Sequence, residues 1–368
     1  MVPNDLVWEI LRWIPVKSLM RFKCVSRTWL SIIRDLRFSK IYSGGGGPCL
    51  ISFYDWTFEW SRFLLWRPHV SFDTYTSFEI LNLDSESFDT HIVYHGHVHG
   101  QALKKASTNI VDGLICFYRG EQSWLYNIAT REMVKLPDLT FGECKEVCHS
   151  SVYHLGYDPI TKRYKLLNTG DNHAAILTIG VDSLWRNISP SVTSVDMRIK
   201  RGACLDGNIC WESRSASQTI IISFNLAQEK FIQIESFLVL GSLINFGPSL
   251  MVTRCNQSSG GPDEILYYDY NNGIWIKQLF LPPRTEPLEG VHIDEFPCIV
   301  GVFPNGKVLM IDCFGRSLIY QYYLFDLSKK EWKPIATSDS LARRCTSQPQ
   351  FYFEENIISL AHLTSCDV

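Results

Sequence analysis

The chain has 368 residues, of which 46% are hydrophobic and 20% are charged, and its formal net charge is −3 at pH 7. This composition is typical of a folded globular protein and excludes a largely disordered chain. The slight negative charge argues against a general surface for nucleic acid or anionic membranes. No run of about twenty apolar residues spans a bilayer, and acidic Asp5 and Glu9 stand where a signal peptide would be basic. We therefore expect a soluble protein of the cytoplasm, the nucleus or both.

Residues 2–42 have the spacing of short amphipathic helices. Apolar side chains recur at intervals of three, four and seven, at Leu6, Ile10, Leu11, Ile14, Leu19, Phe22, Val25, Trp29, Ile32 and Ile33. Pro15 ends the first helix and fits the first position of a second, where its missing N–H is no loss. Ser26 fits the N-cap of a third helix over residues 27–34. Three helices in about 40 residues bury little apolar surface, so the pattern predicts a small bundle that needs a partner.

The order of residues within this stretch also follows a motif. Its parts are Val2-Pro3, an acidic helix with Ile10-Leu11, Ile14-Pro15-Val16-Lys17-Ser18-Leu19, Arg21-Phe22-Lys23-Cys24-Val25-Ser26, Trp29 and Ile32-Ile33. In these residues the stretch resembles an F-box, although Val2 and Ile14 replace the usual leucines. The resemblance implies docking to a Skp-type adaptor and, through it, to a cullin–RING ubiquitin ligase. The alternative is a helical hairpin that caps a larger domain.

If the stretch docks an adaptor, we expect seven of its residues to form the contact: Pro3, Leu6, Ile10, Leu11, Pro15, Leu19 and Val25. A few of them should carry most of the affinity, as in other protein interfaces. Trp29 and Ile33 are expected to hold the bundle together instead. Residues 43–48, with four consecutive glycines, have the composition of a flexible linker. We therefore predict an F-box over 1–42, a Gly-rich linker over 43–48 and a second domain over 49–368.

From residue 49 the pattern changes to short runs of Val, Ile, Tyr, Phe and Trp separated by turn residues, which indicates strands. An Asn or Asp recurs at the end of such runs, six residues before another aromatic or apolar residue. The copies begin at Asn82, Asn127, Asp158, Ile179 (a degenerate copy), Asn225, Asp269 and Asp326. Each copy predicts a hairpin in which the Asn or Asp side chain bonds the turn backbone. Asp112-Gly113, Asp206-Gly207 and Asn305-Gly306 predict further tight turns.

Together these signals predict about four strands in roughly 45 residues, the size of one propeller blade. The irregular spacing leaves six or seven blades open, and a distorted β-sandwich is the alternative fold. The region resembles the F-box-associated, kelch-like domain of plant F-box proteins. The matching residues are Asp112-Gly113-Leu114-Ile115-Cys116, Tyr126-Asn127 with Thr130, Leu136-Pro137, Gly156-Tyr157-Asp158-Pro159 and Tyr164-Lys165. Ile128-Ala129 replaces the proline usual before Thr130. The resemblance implies a β-propeller-like receptor for a protein substrate that it does not identify.

A metal site is the main alternative source of function. His95, His97 and His99 alternate, and on a regular strand they would share one side and could hold zinc or copper. The two glycines among them favour an exposed loop instead. We expect no catalytic set, metal or cofactor, and we interpret the chain as a non-catalytic ligase subunit. A metal-dependent propeller enzyme and an adaptor-bound scaffold that recruits no cullin are the alternatives.

Overall fold

A computed structural model of the chain places helices first and antiparallel sheets after them. It describes residues 4–42, 49–54, 71–82, 87–99, 105–107, 109–139, 152–170, 173–189, 202–214, 219–234, 241–246, 249–254, 263–269, 274–280, 298–302, 307–314, 319–326, 329, 331–335, 350–353 and 357–364. Pro3 and the predicted linker 43–48 therefore lie outside the described residues.

Four short helices form the first part of the chain, which we call the helical module. They are α1 (Asn4–Leu11), α2 (Val16–Phe22), α3 (Arg27–Arg34) and α4 (Leu36–Ile41). The predicted cap of α3 is confirmed, since Ser26 Oγ accepts a hydrogen bond from the Trp29 N–H at 3.1 Å. Pro15 is the N-cap of α2, one residue before the predicted position. The prediction of three helices was wrong by one: Asp35 caps α4 through the Arg37 N–H at 2.8 Å.

The second part contains six four-stranded antiparallel sheets among the described residues, which we number as blades 1 to 6. Blade 1 combines β1 (Cys49–Tyr54), β2 (Ser71–Asn82) and β3 (Ser87–His99) with β24 (Gln350–Phe353). Blade 2 contains β4 (Lys105–Ala106), β5 (Leu114–Arg119), β6 (Gln122–Asn127) and β7 (Met133–Lys135). Blade 3 contains β8 (Val152–Asp158), β9 (Arg163–Thr169), β10 (Ala174–Thr178) and β11 (Arg186–Ile188).

The remaining blades repeat the same order. Blade 4 contains β12 (Gly202–Leu205), β13 (Asn208–Arg214), β14 (Thr219–Asn225) and β15 (Lys230–Ile234). Blade 5 contains β16 (Gly241–Phe246), β17 (Ser249–Arg254), β18 (Asp263–Asp269) and β19 (Ile274–Phe280). Blade 6 contains β20 (Cys298–Val302), β21 (Lys307–Phe314), β22 (Ile319–Asp326) and β23 (Glu331–Ile335). A last helix, α5 (Leu360–Thr364), follows β24.

From blade 2 to blade 6, and on to β24 of blade 1, successive blades contact each other through their first or second strands. β5 lies against β8, β8 against β12 and β13, β12 against β16, β16 against β20, and β20 against β24. β24 then pairs with β1, with Cys49 opposite Phe353, so the last strand completes the first sheet. Six separate sheets in this succession are the arrangement of a propeller and not of the β-sandwich that was the alternative.

The predicted Asn and Asp turns are confirmed where the structure describes them. Asn127, Asn225 and Asp326 each accept a hydrogen bond through Oδ1 from the backbone N–H three residues later, at 2.8–3.1 Å. Asp112-Gly113 and Asp206-Gly207 both have positive φ angles, as a tight turn of the predicted kind requires.

The turns define two ends of the propeller. In every blade with described turns, the connections between the first and second strands and between the third and fourth strands lie at one end, which we call the near end. At this end Tyr164 Oη donates to Asp112 Oδ2 (2.8 Å), which joins blades 3 and 2. The turn at Gly120 lies at the opposite, far end, where Tyr153 Oη donates to the Gly120 carbonyl (3.2 Å). From blade 2 to blade 6, the fourth strand of each blade ends at the far end, and the first strand of the following blade begins there.

A buried aromatic stack joins blades 3 and 4. The imidazole of His154 lies 4.7 Å from the Trp211 ring, with 14° between their planes, and both side chains are fully buried. His154 Nε2 lies 3.1 Å from Thr169 Oγ1. Burial lowers the pKa of His154 to about 3, so the folded protein holds a neutral imidazole there.

This histidine should make stability sensitive to acid. The unfolded chain binds a proton near pH 6.5, whereas the folded chain does not until about pH 3, so the free energy of unfolding should fall as the pH drops between these values. From pH 7 to pH 5 this single group predicts a loss of about 2 kcal/mol. Urea unfolding of wild type and of His154→Gln at both pH values would measure it. An equal loss in both proteins would contradict the prediction.

Candidate functional site

The helical module has a small core and a large exposed apolar surface. Its buried side chains are Val7, Leu11, Val16, Leu19, Ile32, Ile33 and Phe38, joined by Ile357 from beyond the last strand. Half-buried Trp29 packs edge-on against Phe22, with 5.2 Å between ring centroids. Ile33 is in the core, so both residues expected to hold the bundle together do so.

Among the described residues of the module, three of the five exposed large apolar side chains lie on α1 or just after it, and the other two are Val25 and Ile41. The side chains of Leu6 and Ile10 are 54% and 55% exposed, although Val7 and Leu11, one position further along, are buried. Residues four apart on a helix are neighbours on one face, and Trp13, also exposed, continues the spacing by three. We call Leu6, Ile10 and Trp13 the exposed α1 surface. Large exposed apolar side chains grouped in this way are typical of surfaces that bind another molecule.

The predicted adaptor-contact residues divide into two groups. Leu6, Ile10, Pro15 and Val25 are exposed, as a contact with a partner requires. Leu11 and Leu19 have no exposed surface, because α1 and α2 turn them into the core of the module.

Sequence reasoning overlooked Trp13. Its position three residues after Ile10 and seven after Leu6 was the available signal. The Arg12 guanidinium lies 4.8 Å from the Trp13 ring centroid and pairs with Glu9 at 3.0 Å. The exposed α1 surface therefore has a charged margin.

The module rests on blade 2 at the near end. Lys23 Nζ pairs with Glu132 Oε1 at 3.1 Å, and Ala129 packs against the module's core. Glu132 Oε2 accepts hydrogen bonds from Ser359 Oγ at 3.1 Å and from the Leu360 N–H at 2.9 Å. Burial alone would raise the pKa of Glu132, but the bond from Leu360 and the charge of Lys23 outweigh it and hold the pKa below its ordinary value. The carboxylate thus stays ionised at neutral pH.

A second group of exposed apolar side chains lies at the near end of blade 3. Ile160, in the turn between β8 and β9, is 77% exposed, and Leu184, before β11, is 66% exposed. They do not belong to the helical module, so substitutions at these two residues can serve as a control for substitutions in the exposed α1 surface.

The three histidines of the metal alternative lie on β3 rather than in a loop. His97 pairs with Asp73 and His99 with Ser71, but the register shifts between Thr74 and Tyr75. His95 is the residue added at this shift, so the regular alternation assumed from the sequence is interrupted there. Within the part of the chain whose side chains are described, no group of three or more His, Cys, Asp or Glu residues is placed to hold a metal ion, and these three histidines lie outside it.

Comparison with known protein families agrees with this architecture. The F-box domain family matches residues 1–41, and the F-box associated beta propeller domain family matches residues 67–355. The chain belongs to the F-box proteins that carry an F-box-associated β-propeller domain.

Individual relatives are proteins of Arabidopsis thaliana. At3g52320 is 27% identical over 90% of this chain and 85% of its own length. F-box protein At4g19940 is 24% identical over 91% of this chain and 85% of its own, and F-box protein At1g53790 is 27% identical over 92% and 77%. Among solved structures, TolB from Acinetobacter baumannii overlaps with 74% of this chain and 69% of its own, at 8% identity and a TM-score of 0.38. That overlap is too weak to support an argument.

Among the described residues, no helix has the length and apolar character needed to cross a membrane.

Proposed function

We propose that this chain is the substrate-receptor subunit of a Skp–cullin–F-box (SCF) ubiquitin ligase. The observation that carries the proposal is the exposed α1 surface, which stands on a module matched by the F-box family. The propeller that follows would capture the protein to be ubiquitinated. In this proposal residues 1–42 are the docking domain, 43–48 the linker and 49–368 the receptor domain.

The adaptor contact would be made by the exposed members of the predicted set. These are Leu6, Ile10, Pro15 and Val25, with Trp13 added and Pro3 retained from the sequence. Leu11 and Leu19 would support the contact indirectly, by packing α1 and α2 against the rest of the module.

The target would bind at the far end of the propeller. The near end of blade 2 is occupied by the helical module, and an adaptor bound to that module adds bulk on the same side. The described far end includes exposed Glu121, in the turn between β5 and β6, and exposed Gln122, the first residue of β6. Connections at one end of a rigid scaffold are common sites of recognition.

The chain itself would supply no catalytic group. A receptor accelerates ubiquitin transfer by holding target lysines near the charged enzyme, which raises their effective concentration. The propeller therefore needs affinity and a fixed orientation, and it needs no nucleophile, metal or cofactor.

Reconstitution with purified components tests the proposal. The full chain, a Skp-type adaptor and a cullin should elute together from a sizing column in equal amounts. Elution of the chain apart from the adaptor would contradict the proposal. Elution with the adaptor but without the cullin would instead indicate a scaffold. Stoichiometric zinc or copper in the purified chain would favour the metal-dependent alternative at His95, His97 and His99.

A further inference from the structure

Residues 357–364, after the last strand, connect the two parts of the molecule, and we call them the return segment. Ile357 is 2% exposed and belongs to the core of the helical module. Leu360, three residues later, is equally buried but belongs to the core shared by blades 2 and 3. The two side chains therefore place one short piece of chain in two different hydrophobic cores.

Polar contacts fix the same segment to the turn between β6 and β7. Asn127 Nδ2 donates to the Ile358 carbonyl at 2.9 Å. The Glu132 carboxylate joins three partners: Lys23 of the helical module, and Ser359 Oγ and the Leu360 N–H of the return segment. Because Glu132 belongs to blade 2, its carboxylate is a shared junction of module, blade and return segment. Charge-assisted bonds of this kind are the stronger class of hydrogen bond.

The return segment comes after blade 1 in the chain. It follows β24 closely, and β24 pairs with β1, the first strand after the helical module. The contacts of Ile357 with the module's core and of Glu132 with Lys23 therefore connect the module to the propeller at residues far from β1 in the chain.

We propose that the return segment is an interdomain clamp, which completes the core of the F-box module and fixes that module against blade 2. Ile357 and Glu132 act as positioning residues in this clamp. The clamp makes the order of α1–α4 depend on the assembled propeller. Its consequence for adaptor binding depends on the proposed function, but the coupling between the two domains does not.

Hydrogen exchange of the full chain, read by mass spectrometry, tests the clamp without any partner. Ile357→Asp should speed exchange in peptides from α1–α4 by about tenfold or more, because a charge replaces a buried side chain of their core. Exchange in β8–β14 should remain as in wild type. Ala361→Asp is the matched control, since Ala361 is exposed in the same segment, and it should leave exchange unchanged in both regions.

A second variant covers the case in which Ile357→Asp unfolds the whole chain. Glu132→Gln keeps the size of the side chain and all apolar contacts but removes the charge that joins Lys23 to the return segment. It should speed exchange in α1–α4 by roughly threefold or more, with β8–β14 unchanged. Unchanged exchange of α1–α4 in both variants would overturn the clamp, as would unchanged exchange in Glu132→Gln if Ile357→Asp unfolds.

Adaptor binding by the same proteins separates this proposal from the preceding one. If wild type binds the adaptor, Ile357→Asp should bind more weakly than Ala361→Asp, and equal binding would overturn the dependence of docking on the clamp. If wild type does not bind the adaptor, the proposed function fails. The exchange results would still decide whether the clamp exists.

Discussion

The double substitution Leu6→Asp/Ile10→Asp should reduce the affinity for a Skp-type adaptor by roughly 100-fold or more, since buried interface anchors each contribute about 2 kcal/mol or more. Both side chains are more than half exposed in the free chain, so the helical module should remain folded. Isothermal titration of the full chain with purified adaptor would measure the loss. Circular dichroism and thermal unfolding would show whether the fold is retained.

A matched control is available on blade 3. Ile160→Asp/Leu184→Asp makes the same chemical change at two side chains that are at least as exposed, but that belong to blade 3 and not to the helical module. It should leave adaptor affinity within about twofold of wild type, the spread expected for surface changes outside an interface. Equal affinity of the α1 double variant and this control would remove the exposed α1 surface from the adaptor contact.

The second large effect is expected at the junction of blades 3 and 4, where Lys165→Met should lower the free energy of unfolding by about 3–5 kcal/mol. Lys165 is buried, and its Nζ lies 3.2 Å from Asp158, 3.3 Å from Glu229 and 2.7 Å from the Leu226 carbonyl. Methionine fills the space but leaves the buried Asp158 carboxylate without a countercharge. Lys230→Met, an exposed neighbour on β15, should change stability by no more than about 0.5 kcal/mol.

The pH dependence of this difference gives a further measurement. Burial opposes ionisation of Asp158, but hydrogen bonds from Thr161, Ile160 and Lys165 outweigh it and lower its pKa; the hydrogen bonds from Arg186 likewise lower the pKa of Glu229. Carboxylates with lowered pKa values stabilise the fold above their unfolded pKa and lose that contribution as the pH falls through the folded pKa. The difference between wild type and Lys165→Met should therefore be largest near pH 7 and shrink below about pH 4. A difference that stays constant with pH would show that Lys165 acts by packing alone.

Local chemistry was predictable from the sequence, because it involves residues close together in the chain. Ser26 caps α3 and Asn127 bonds its own turn, and each contact spans three residues. The blade number was harder to predict, because an Asn or Asp at the end of a strand occurs in two kinds of turn: the turn after the first strand of a blade and the turn after the third. Asp158 bonds the Ile160 N–H at 3.0 Å but ends β8, the first strand of its blade, whereas every other copy follows a third strand. The degenerate copy at Ile179 is the true counterpart of Asn127.

The candidate site was less predictable, because burial depends on how separate elements pack. The motif has the same apolar residue types at exposed positions and at core positions. The sequence therefore did not show that Ile10 is exposed whereas Leu11 and Leu19 are buried. No local pattern indicated that Ile357 joins the helical core, since its neighbours there are more than 300 positions away in the chain.

The placement of Ile357 has a consequence for synthesis. Ribosomes synthesise a chain from its N-terminus at about 5–20 residues per second. Helices α1–α4 would therefore be synthesised roughly 15–60 s before Ile357, whose side chain completes their core. During that interval the nascent helices lack a core residue. Under the proposed function, we therefore expect unfinished chains to bind the adaptor poorly, which would keep incomplete receptors out of the ligase.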